Sequence, residues 1–286
     1  MEQVLLGALS LGLLWSIMAL GVYITYRVLD FPDLSVDGTF PLGGAVTVVL
    51  IGAGVNPLLT LPVSFLAGAA AGMLTGLIHV KCKVRDLLAG IIMMTALYSL
   101  NLRIAGRANV PIFSRDTIFD NAFLDKWIPT GFHPYLTAAI LLLIVTVMKL
   151  LLDWYLKTKS GYLLRATGDN DTLVTSLAKD KGTVRIIGLS LANAFAALSG
   201  CIYSQKSGFF EISSGTGTIV VGLASVIIGG NLFRKVSFGK TTTAVIIGSV
   251  IYKACVSIAI SLGMAASDLK LITAVLFLLI LIVSNS

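Results

Sequence analysis

A succession of long apolar segments constrains this chain more than any other feature of its sequence. Nine of them fall at approximately residues 4–27, 37–55, 58–80, 87–106, 134–156, 184–205, 216–231, 241–263 and 269–284. About 20 apolar residues in a helix are enough to cross the hydrocarbon core of a bilayer. Inside that core, only helices or protein-shielded broken helices satisfy their backbone hydrogen bonds. The sequence therefore predicts an all-α polytopic membrane protein with about eight or nine transmembrane helices, some broken or re-entrant.

Composition excludes a soluble globule. Of the 286 residues, 56% are hydrophobic and only 12% are charged, whereas soluble domains carry roughly 25% charged residues. We treat residues 1–286 as a single transmembrane domain. The first segment is interpreted as a retained helix, because it has no basic start and no signal-peptide cleavage site. Cys82, Cys201 and Cys255 are scattered, which favours ordinary thiols over a disulfide framework or a metal site.

The distribution of basic residues predicts the orientation of the chain. Basic residues concentrate in loops 81–86, 157–185 and 234–240, and such loops usually lie in the cytoplasm. This pattern explains the net charge of +7 better than nucleic-acid binding does, and it places the C-terminus in the cytoplasm. The side of Met1 depends on residues 37–55: it lies outside if they cross fully and inside if they re-enter. A full crossing is favoured, since about 19 residues suffice.

The stretch "DFPDLSVDGTFPLGG", residues 30–44, is unusual between two apolar segments. Its prolines remove backbone donors and its glycines weaken a helix. One interpretation is a polar loop at the membrane surface. The other, which we favour, is an interrupted helix beside a cavity, as transporters use at substrate sites. In that case the residues of the substrate pathway include Asp33, Ser35, Asp37 and Thr39.

Lys253 lies in the middle of an apolar segment, far from either end. A charge buried in a bilayer costs at least about 2.5 kcal/mol and normally faces a partner or a cavity. We therefore predict that Lys253 belongs to the pathway or to an ion pair. Asp33, Asp37 or the carboxylate of a substrate could be its partner.

Gly68, Gly72 and Gly76 recur at four-residue spacing in the third apolar segment. Small residues at this spacing form a stripe that lets another helix approach closely. Packing inside one subunit is favoured over a seam between two subunits.

The polar stretch from Ser160 to Thr183 has apolar residues at near-helical spacing. It predicts a short amphipathic helix, a turn and a second helix on the cytoplasmic face. An interfacial helix resting on lipid and a segment that docks into a cytoplasmic partner both fit this pattern.

These stretches resemble the permease subunits of ABC importers for ribose and branched-chain amino acids. Gly161, Arg165-Ala166 and Gly168-Asp169-Asn170 match the cytoplasmic coupling segment of that family. "DLSVDG", "KVRDLLAGIIMM" and "SGTGTIVVGLASVIIGGNLF" match three further segments, and the resemblance extends over roughly residues 4–284. The chain departs from the family at Ala178-Lys179 and at residues 234–239. "VDGTFPLGGAV" resembles a branch of amino acid importers, particularly for tryptophan or tyrosine.

The resemblance implies a bacterial plasma-membrane subunit that forms the pathway for a small polar solute. An amino acid, possibly an aromatic one, is favoured, and a sugar or nucleoside stays open. Met93 and Met94 join the pathway residues, and residues 158–182 form the coupling segment. The implied partners are a cytoplasmic ATP-binding subunit, an extracytoplasmic substrate-binding lipoprotein, a second permease copy in a homodimer, and membrane lipid. This chain binds no cofactor itself, because ATP and Mg are used by the partner ATPase.

Two other classes of protein remain as alternatives. An ion-driven secondary transporter also uses broken helices and lone charges, but it gives the coupling-like loop no task. An intramembrane enzyme lacks support, because no Ser-His-Asp or H-E-x-x-H pattern occurs. "GKT" at residues 239–241 is not a P-loop, since Arg234 stands where the motif requires glycine. We therefore expect a transport subunit without an ATPase site of its own.

Overall fold

The computed structural model describes residues 2–121, 132–169, 180–233 and 241–261, and positions 271, 273–275, 277–279 and 282. Its α-helices are α1 (Glu2–Val22), α2 (Val36–Gly52), α3 (Pro57–Lys81), α4 (Asp86–Ala105), α5 (His133–Tyr155), α6 (Lys159–Asp169), α7 (Lys181–Ser207), α8 (Thr218–Leu232) and α9 (Thr241–Ser261). A π-helix (Tyr23–Val28) extends α1, and a 3-10 turn (Ile212–Gly215) precedes α8. Strands β1 (Asn109–Pro111) and β2 (Phe209–Glu211) pair antiparallel.

The polytopic prediction is confirmed. In the described part of the chain, seven helical stretches are long and apolar enough to cross a membrane, and α2 is a shorter apolar helix. Within the described residues, the short two-stranded β1–β2 sheet is the exception to the all-α prediction. Most of the ninth predicted segment, 269–284, lies outside the described residues, and the positions described there are helical.

Helix α7 is the most buried of the seven spans and organises the bundle. It packs against α1, α2 and α3. Glycines allow the approach of α2, because a Cβ on Gly200 would lie 1.8 Å from the carbonyl oxygen of Phe40. A Cβ on Gly43 would lie equally close to the carbonyl oxygen of Ala197. The two backbones are therefore in direct contact along this seam.

The contacts with α7 give the direction of the first two helices. Ser199 donates to the carbonyl oxygen of Leu14 (3.1 Å), and Gly21 lies against Ala192, so α1 runs antiparallel to α7. Helix α2 runs parallel to α7, since its residue Thr39 bonds Asn193 and Gly44 lies against Ser204. The chain therefore returns through the bundle between α1 and the end of α2, and a full membrane crossing by this stretch stays a prediction. Only the later part of that return, Val36–Gly52, is helical.

The two ends of the bundle differ in construction. At one end, the β1–β2 sheet places Ile112 and Phe210 against Ala45, Val48 and Ile51 near the end of α2. At the other end, the termini of α3, α4 and α7 meet through His79. Its ring lies 3.1 Å from the guanidinium of Arg185 and 2.9 Å from the carbonyl oxygen of Val84. The interrupted segment 29–35 starts from this second end, where Phe31 stacks edge-on against His79.

Candidate functional site

The unusual aspartate stretch forms an irregular segment that ends in a buried polar cluster. Asp30 is exposed and has φ of 52°, a left-handed conformation that aspartate tolerates better than most residues. Asp33 is fully buried. One of its carboxylate oxygens accepts from the backbone N–H and the hydroxyl of Ser35, at 2.9 and 2.6 Å. The other accepts from the side-chain amide of Asn193 at 2.8 Å.

Asn193 completes this cluster from the middle of α7. Its side-chain oxygen accepts from the hydroxyl of Thr39 at 2.6 Å and from that of Ser35 at 3.1 Å. Its amide also donates to the carbonyl oxygen of Leu189 at 3.0 Å. All four cluster side chains, those of Asp33, Ser35, Thr39 and Asn193, are buried. Such a closed network holds the start of α2 against α7, because each of these groups would be costly to leave unpaired.

Asp37 lies in the first turn of α2 and forms its hydrogen bonds with a different helix, α8. Its carboxylate accepts from the backbone N–H of Gly217 and of Ile219, each at 2.9 Å, and from the hydroxyl of Thr218 at 2.8 Å. Gly217 is the N-cap of α8 and has no side chain with which to cap the helix. Asp37 therefore caps α8 from α2, where a carboxylate also interacts favourably with the helix dipole.

A cavity of about 330 Å³ opens beside this cap, between α2, α4 and the turn before α8. Its volume lies at the lower end of ordinary ligand pockets, which start at roughly 300 Å³. Among the described residues that line it, Asp37 alone is charged. The lining residues are Asp37, Gly38, Pro41, Met94, Thr95, Tyr98, Ser99, Asn101, Ile212 and Thr216.

Asn101 is the most unusual member of this lining. Its side chain is fully buried, and its amide donates to the carbonyl oxygen of Gly38 at 2.9 Å. Its side-chain oxygen has no hydrogen-bond partner within the described part of the chain. A buried, unpaired acceptor is uncommon and indicates a place for a water molecule or a ligand.

Comparison with known protein families shows to which class of protein this chain belongs. The family model for the permease component of branched-chain amino acid transport systems matches residues 4–284. The chain belongs to this family of ABC importer permeases. The predicted resemblance is thereby confirmed, and the bundle described above is that of a multi-pass membrane permease.

The relatives of the permease cover several kinds of solute. It is 42% identical to the tyrosine transport system permease protein of Clostridioides difficile over 281 residues, which are 98% of this chain and 91% of the relative. It is 26% identical over 273 residues to the ribose import permease protein RbsC of Escherichia coli, covering 94% of this chain and 82% of the relative. The nucleoside ABC transporter permease protein NupC of Lactococcus lactis is 26% identical over 249 residues, covering 77% and 74%.

A solved structure shares the fold of the permease. The PsaBC structure from Streptococcus pneumoniae in complex with Fab aligns with a TM-score of 0.52 at 12% identity. The alignment covers 98% of this chain and 90% of that one. This similarity supports the fold of the whole chain.

Lys253 of the permease does not pair with either aspartate. Asp33 and Asp37 make the hydrogen bonds given above, and the ammonium of Lys253 lies 4.1 Å from the centroid of the Trp15 ring. Trp15 in turn stacks on Phe40, with centroids 5.2 Å apart. Of the partners left open by the sequence, the structure pairs Lys253 with neither aspartate, and a substrate carboxylate stays a prediction. The face of an indole ring stabilises the charge instead, which a desolvated site makes worthwhile.

Met93 and Met94 separate on the two faces of α4. Met94 lines the cavity, whereas Met93 is buried in an apolar cluster with Leu42, Ala71 and Leu97. Of the seven residues predicted for the pathway, the structure thus brings only Asp37 and Met94 to the cavity. Asp33, Ser35 and Thr39 lie in the closed cluster behind it.

Helix α6 carries the described part of the predicted coupling segment; Asn170 lies outside the described residues. Gly161 fits against Tyr155, and a Cβ on Gly168 would lie 2.0 Å from the carbonyl oxygen of Val28. Ala166 is half-buried, whereas Arg165 is exposed, together with Tyr162 one turn earlier. Asp169 ends the helix. One face of α6 therefore touches the end of the π-helix, and the face that carries Tyr162 and Arg165 is exposed.

The glycine stripe of α3 packs inside the subunit. A Cβ on Gly68 would lie 2.4 Å from the carbonyl oxygen of Asn193, and one on Gly72 would lie 2.2 Å from that of Leu189. Gly76 lies against the backbone of Ile186. The stripe therefore seats α3 on α7, which leaves no room for a second subunit at these three positions.

Sequence reasoning missed two residues of this region, Asn101 and Asn193. Both are single amides inside apolar segments. An amide at such a position is costly in lipid and usually faces another helix or a cavity. The cost of placing an amide in lipid was therefore a signal available in the sequence, but it was applied only to the charged residue Lys253.

Proposed function

We propose that this permease forms the membrane pathway of an ATP-driven importer for an aromatic amino acid of the tyrosine type. The observation that carries this proposal is the 42% identity, over nearly the full length of both chains, to a tyrosine transport system permease protein. The cavity beside Asp37 supports it, because its lining combines apolar side chains with hydroxyl, amide and carboxylate groups, which suits a small amphipathic solute. The ribose and nucleoside permeases, at 26% identity, give the alternative substrates weaker support.

The cavity supports a pathway between two copies of the chain. Thr95, Tyr98 and Ser99 are exposed on α4, a helix that is otherwise apolar enough to span the membrane. Hydroxyl groups at this depth are unfavourable against lipid tails and normally face protein or water. A second copy that covers this face would shield them and close the cavity, and lipid would cover the apolar outer faces of α3 and α5.

The coupling segment, residues 158–182, is the proposed docking site for the ATP-binding subunit. The exposed face of α6, with Tyr162 and Arg165, would contact that subunit, which holds the ATP and Mg. The inner face touches Val28 at the base of segment 29–35. A displacement of α6 would therefore reach Asp33 and the start of α2 through direct contacts. The end of the bundle that carries the β1–β2 sheet would face the substrate-binding lipoprotein, and the C-terminus would lie in the cytoplasm.

Purification from native membranes is the first step of the test. The tagged permease is purified in mild detergent, and its partners are identified by mass spectrometry. The complex is then reconstituted in liposomes, and uptake of labelled tyrosine, leucine and ribose is compared. We expect tyrosine uptake that requires hydrolysable ATP and resists proton and sodium ionophores.

Each other result points to a named alternative. Uptake that follows an ion gradient, with no co-purifying ATPase, would make the chain a secondary transporter. ATP-dependent uptake of ribose or leucine in place of tyrosine would keep the importer and refute the substrate. A matched variant tests the docking face: Arg165→Glu should abolish ATPase co-purification, and Arg103→Glu, in the last turn of α4, should not.

A further inference from the structure

We infer that the cavity beside Asp37 is a binding site for a primary ammonium group, with the Asp37 carboxylate and the side-chain oxygen of Asn101 as its two acceptors. The inference deepens the proposed function and rests on it in one respect, namely that the cavity belongs to the transport pathway. It adds a chemical rule for the solute: the permease recognises an amine.

The charge of the cavity is the first argument for an ammonium site. Asp37 is the single charged residue among the described lining residues, so this lining contains no basic side chain. Its three bonds come from two amides and a hydroxyl of α8, which are dipoles and not cations. A carboxylate at membrane depth without a cation is expensive. A ligand ammonium would supply the missing positive charge, whereas a ligand carboxylate would be repelled.

The unpaired side-chain oxygen of Asn101 is a second argument for an ammonium site, and it does not depend on the charge of Asp37. Asn101 is held by its bond to the carbonyl oxygen of Gly38, the residue that follows Asp37. The orphaned oxygen of its amide accepts no hydrogen bond in the described structure, and Asn101 lines the same cavity as Asp37. An ammonium has three donors and no acceptor. It can bind Asp37 and Asn101 together, which a carboxylate or an ether oxygen cannot do.

The rest of the lining suits the remainder of an aromatic amine. Tyr98 is about half exposed, at 55%, and Met94 lies on the same wall. Thioether and aromatic groups make favourable contacts with an aromatic ring. Pro41 and Ile212 close the other side of the cavity. The ammonium would thus lie at the α8 cap and the ring along α4.

The test uses two analogues of tyrosine that each lack one charged group. Tyramine keeps the ammonium and lacks the carboxylate, whereas 3-(4-hydroxyphenyl)propionate keeps the carboxylate and lacks the ammonium. Binding of labelled tyramine is measured by scintillation proximity on the full-length permease in lipid nanodiscs, without ATP or the ATPase. We expect saturable tyramine binding that excess 3-(4-hydroxyphenyl)propionate does not displace.

Asp37→Asn removes the charge and keeps one acceptor oxygen for the cap, which can still accept from the N–H of Ile219 and the hydroxyl of Thr218, whereas the bond from the N–H of Gly217 is lost. We expect this variant to keep its monodisperse elution and to lose at least about tenfold in tyramine affinity. Asp86→Asn is the matched control, since Asp86 is a half-buried carboxylate in the first turn of α4, outside the lining of the cavity; the affinity of this variant should equal that of the wild type. If Asp37→Asn does not fold, Asn101→Leu carries the test, with an expected loss of about threefold.

Three results would overturn the ammonium site: no tyramine binding by the wild type, displacement by 3-(4-hydroxyphenyl)propionate, or unchanged affinity in Asp37→Asn. Failure of the proposed function has a different signature. If tyrosine is not taken up but tyramine binding still requires Asp37, the site stands and the physiological solute is another amine. If tyrosine is taken up and Asp37→Asn binds tyramine normally, the importer stands and the site is refuted.

Discussion

Replacing Asn193 with alanine should destabilise the permease more than any other single loss of a polar side chain in α7. The substitution removes the 2.8 Å hydrogen bond to the Asp33 carboxylate and the 2.6 Å bond from the Thr39 hydroxyl. A hydrogen bond to a charged group contributes roughly 1.5–3 kcal/mol and a neutral one about 0.5–1.5 kcal/mol. With partial relaxation around the site, we expect the free energy of unfolding to fall by about 2–4 kcal/mol.

Thermal unfolding of the purified protein in detergent measures this loss. A chain of this size loses roughly 2–4 °C in Tm for each kcal/mol, so the midpoint should fall by roughly 4–16 °C. Ser190→Ala is the control on the same helix, because it removes one bond, at 2.7 Å, to the carbonyl oxygen of Ala69. Its effect should stay near 1 kcal/mol, about that of one neutral hydrogen bond. An equal or smaller fall in Tm for Asn193→Ala would refute the idea that the Asp33 cluster holds α2 to α7.

Three further predictions concern other parts of the bundle. Gly72→Ala should cost about 1–3 kcal/mol through overpacking against the backbone of α7, whereas Gly7→Ala, which meets open space, should be neutral or slightly stabilising in the same thermal assay. Lys253→Met should leave the Tm unchanged or raise it. The lost cation–π contact is worth about 0.5–2 kcal/mol, whereas a charge in the middle of a membrane span costs at least about 2.5 kcal/mol. A fall in Tm would reveal a stronger partner, and loss of transport in the folded variant would support a pathway role. The hydrogen bond from the Thr183 hydroxyl, followed by that from the Gly182 N–H, lowers the pKa of the Asp180 carboxyl. The stability that Asp180 contributes is therefore present above the pKa of its carboxyl in the unfolded chain, and it disappears as the pH falls through the pKa in the folded protein. Thr183→Val should raise the folded-state pKa of Asp180 in a carbon-13 NMR titration. An unchanged pKa would contradict the assignment of the shift to the Thr183 hydroxyl.

The spans themselves were predictable, and the reason is local. Each predicted segment except the last, which is only partly described, overlaps a helix of the structure, since apolar length and composition are properties of one stretch of chain. The second segment shows the limit of this reasoning. Proline and glycine predicted an expensive helix from residue 37, yet α2 runs through Pro41 as a regular helix. Close packing against α7 compensates the intrinsic cost, and the break falls earlier, at residues 29–35.

The candidate site was predictable only in part. The aspartates were identifiable, because carboxylates are rare between apolar segments, and the structure then gives Asp33 and Asp37 different roles. Nothing local distinguishes the two. Their separation depends on Asn193, which meets Asp33 across 160 positions of the chain, and on Thr218, which meets Asp37 across 181.

The sequence by itself therefore determined that this is a polytopic membrane permease of the ABC importer kind. Hydrophobic length, basic loops and a few short motifs are sufficient for that conclusion, because each acts within one segment. Only the tertiary structure decided which polar groups pair and which face a cavity. It placed Asp37 on the end of α8 and Lys253 on an indole ring, and within the described residues it left the side-chain oxygen of Asn101 without a hydrogen-bond partner. These outcomes depend on how distant helices pack, and no single segment contains that information.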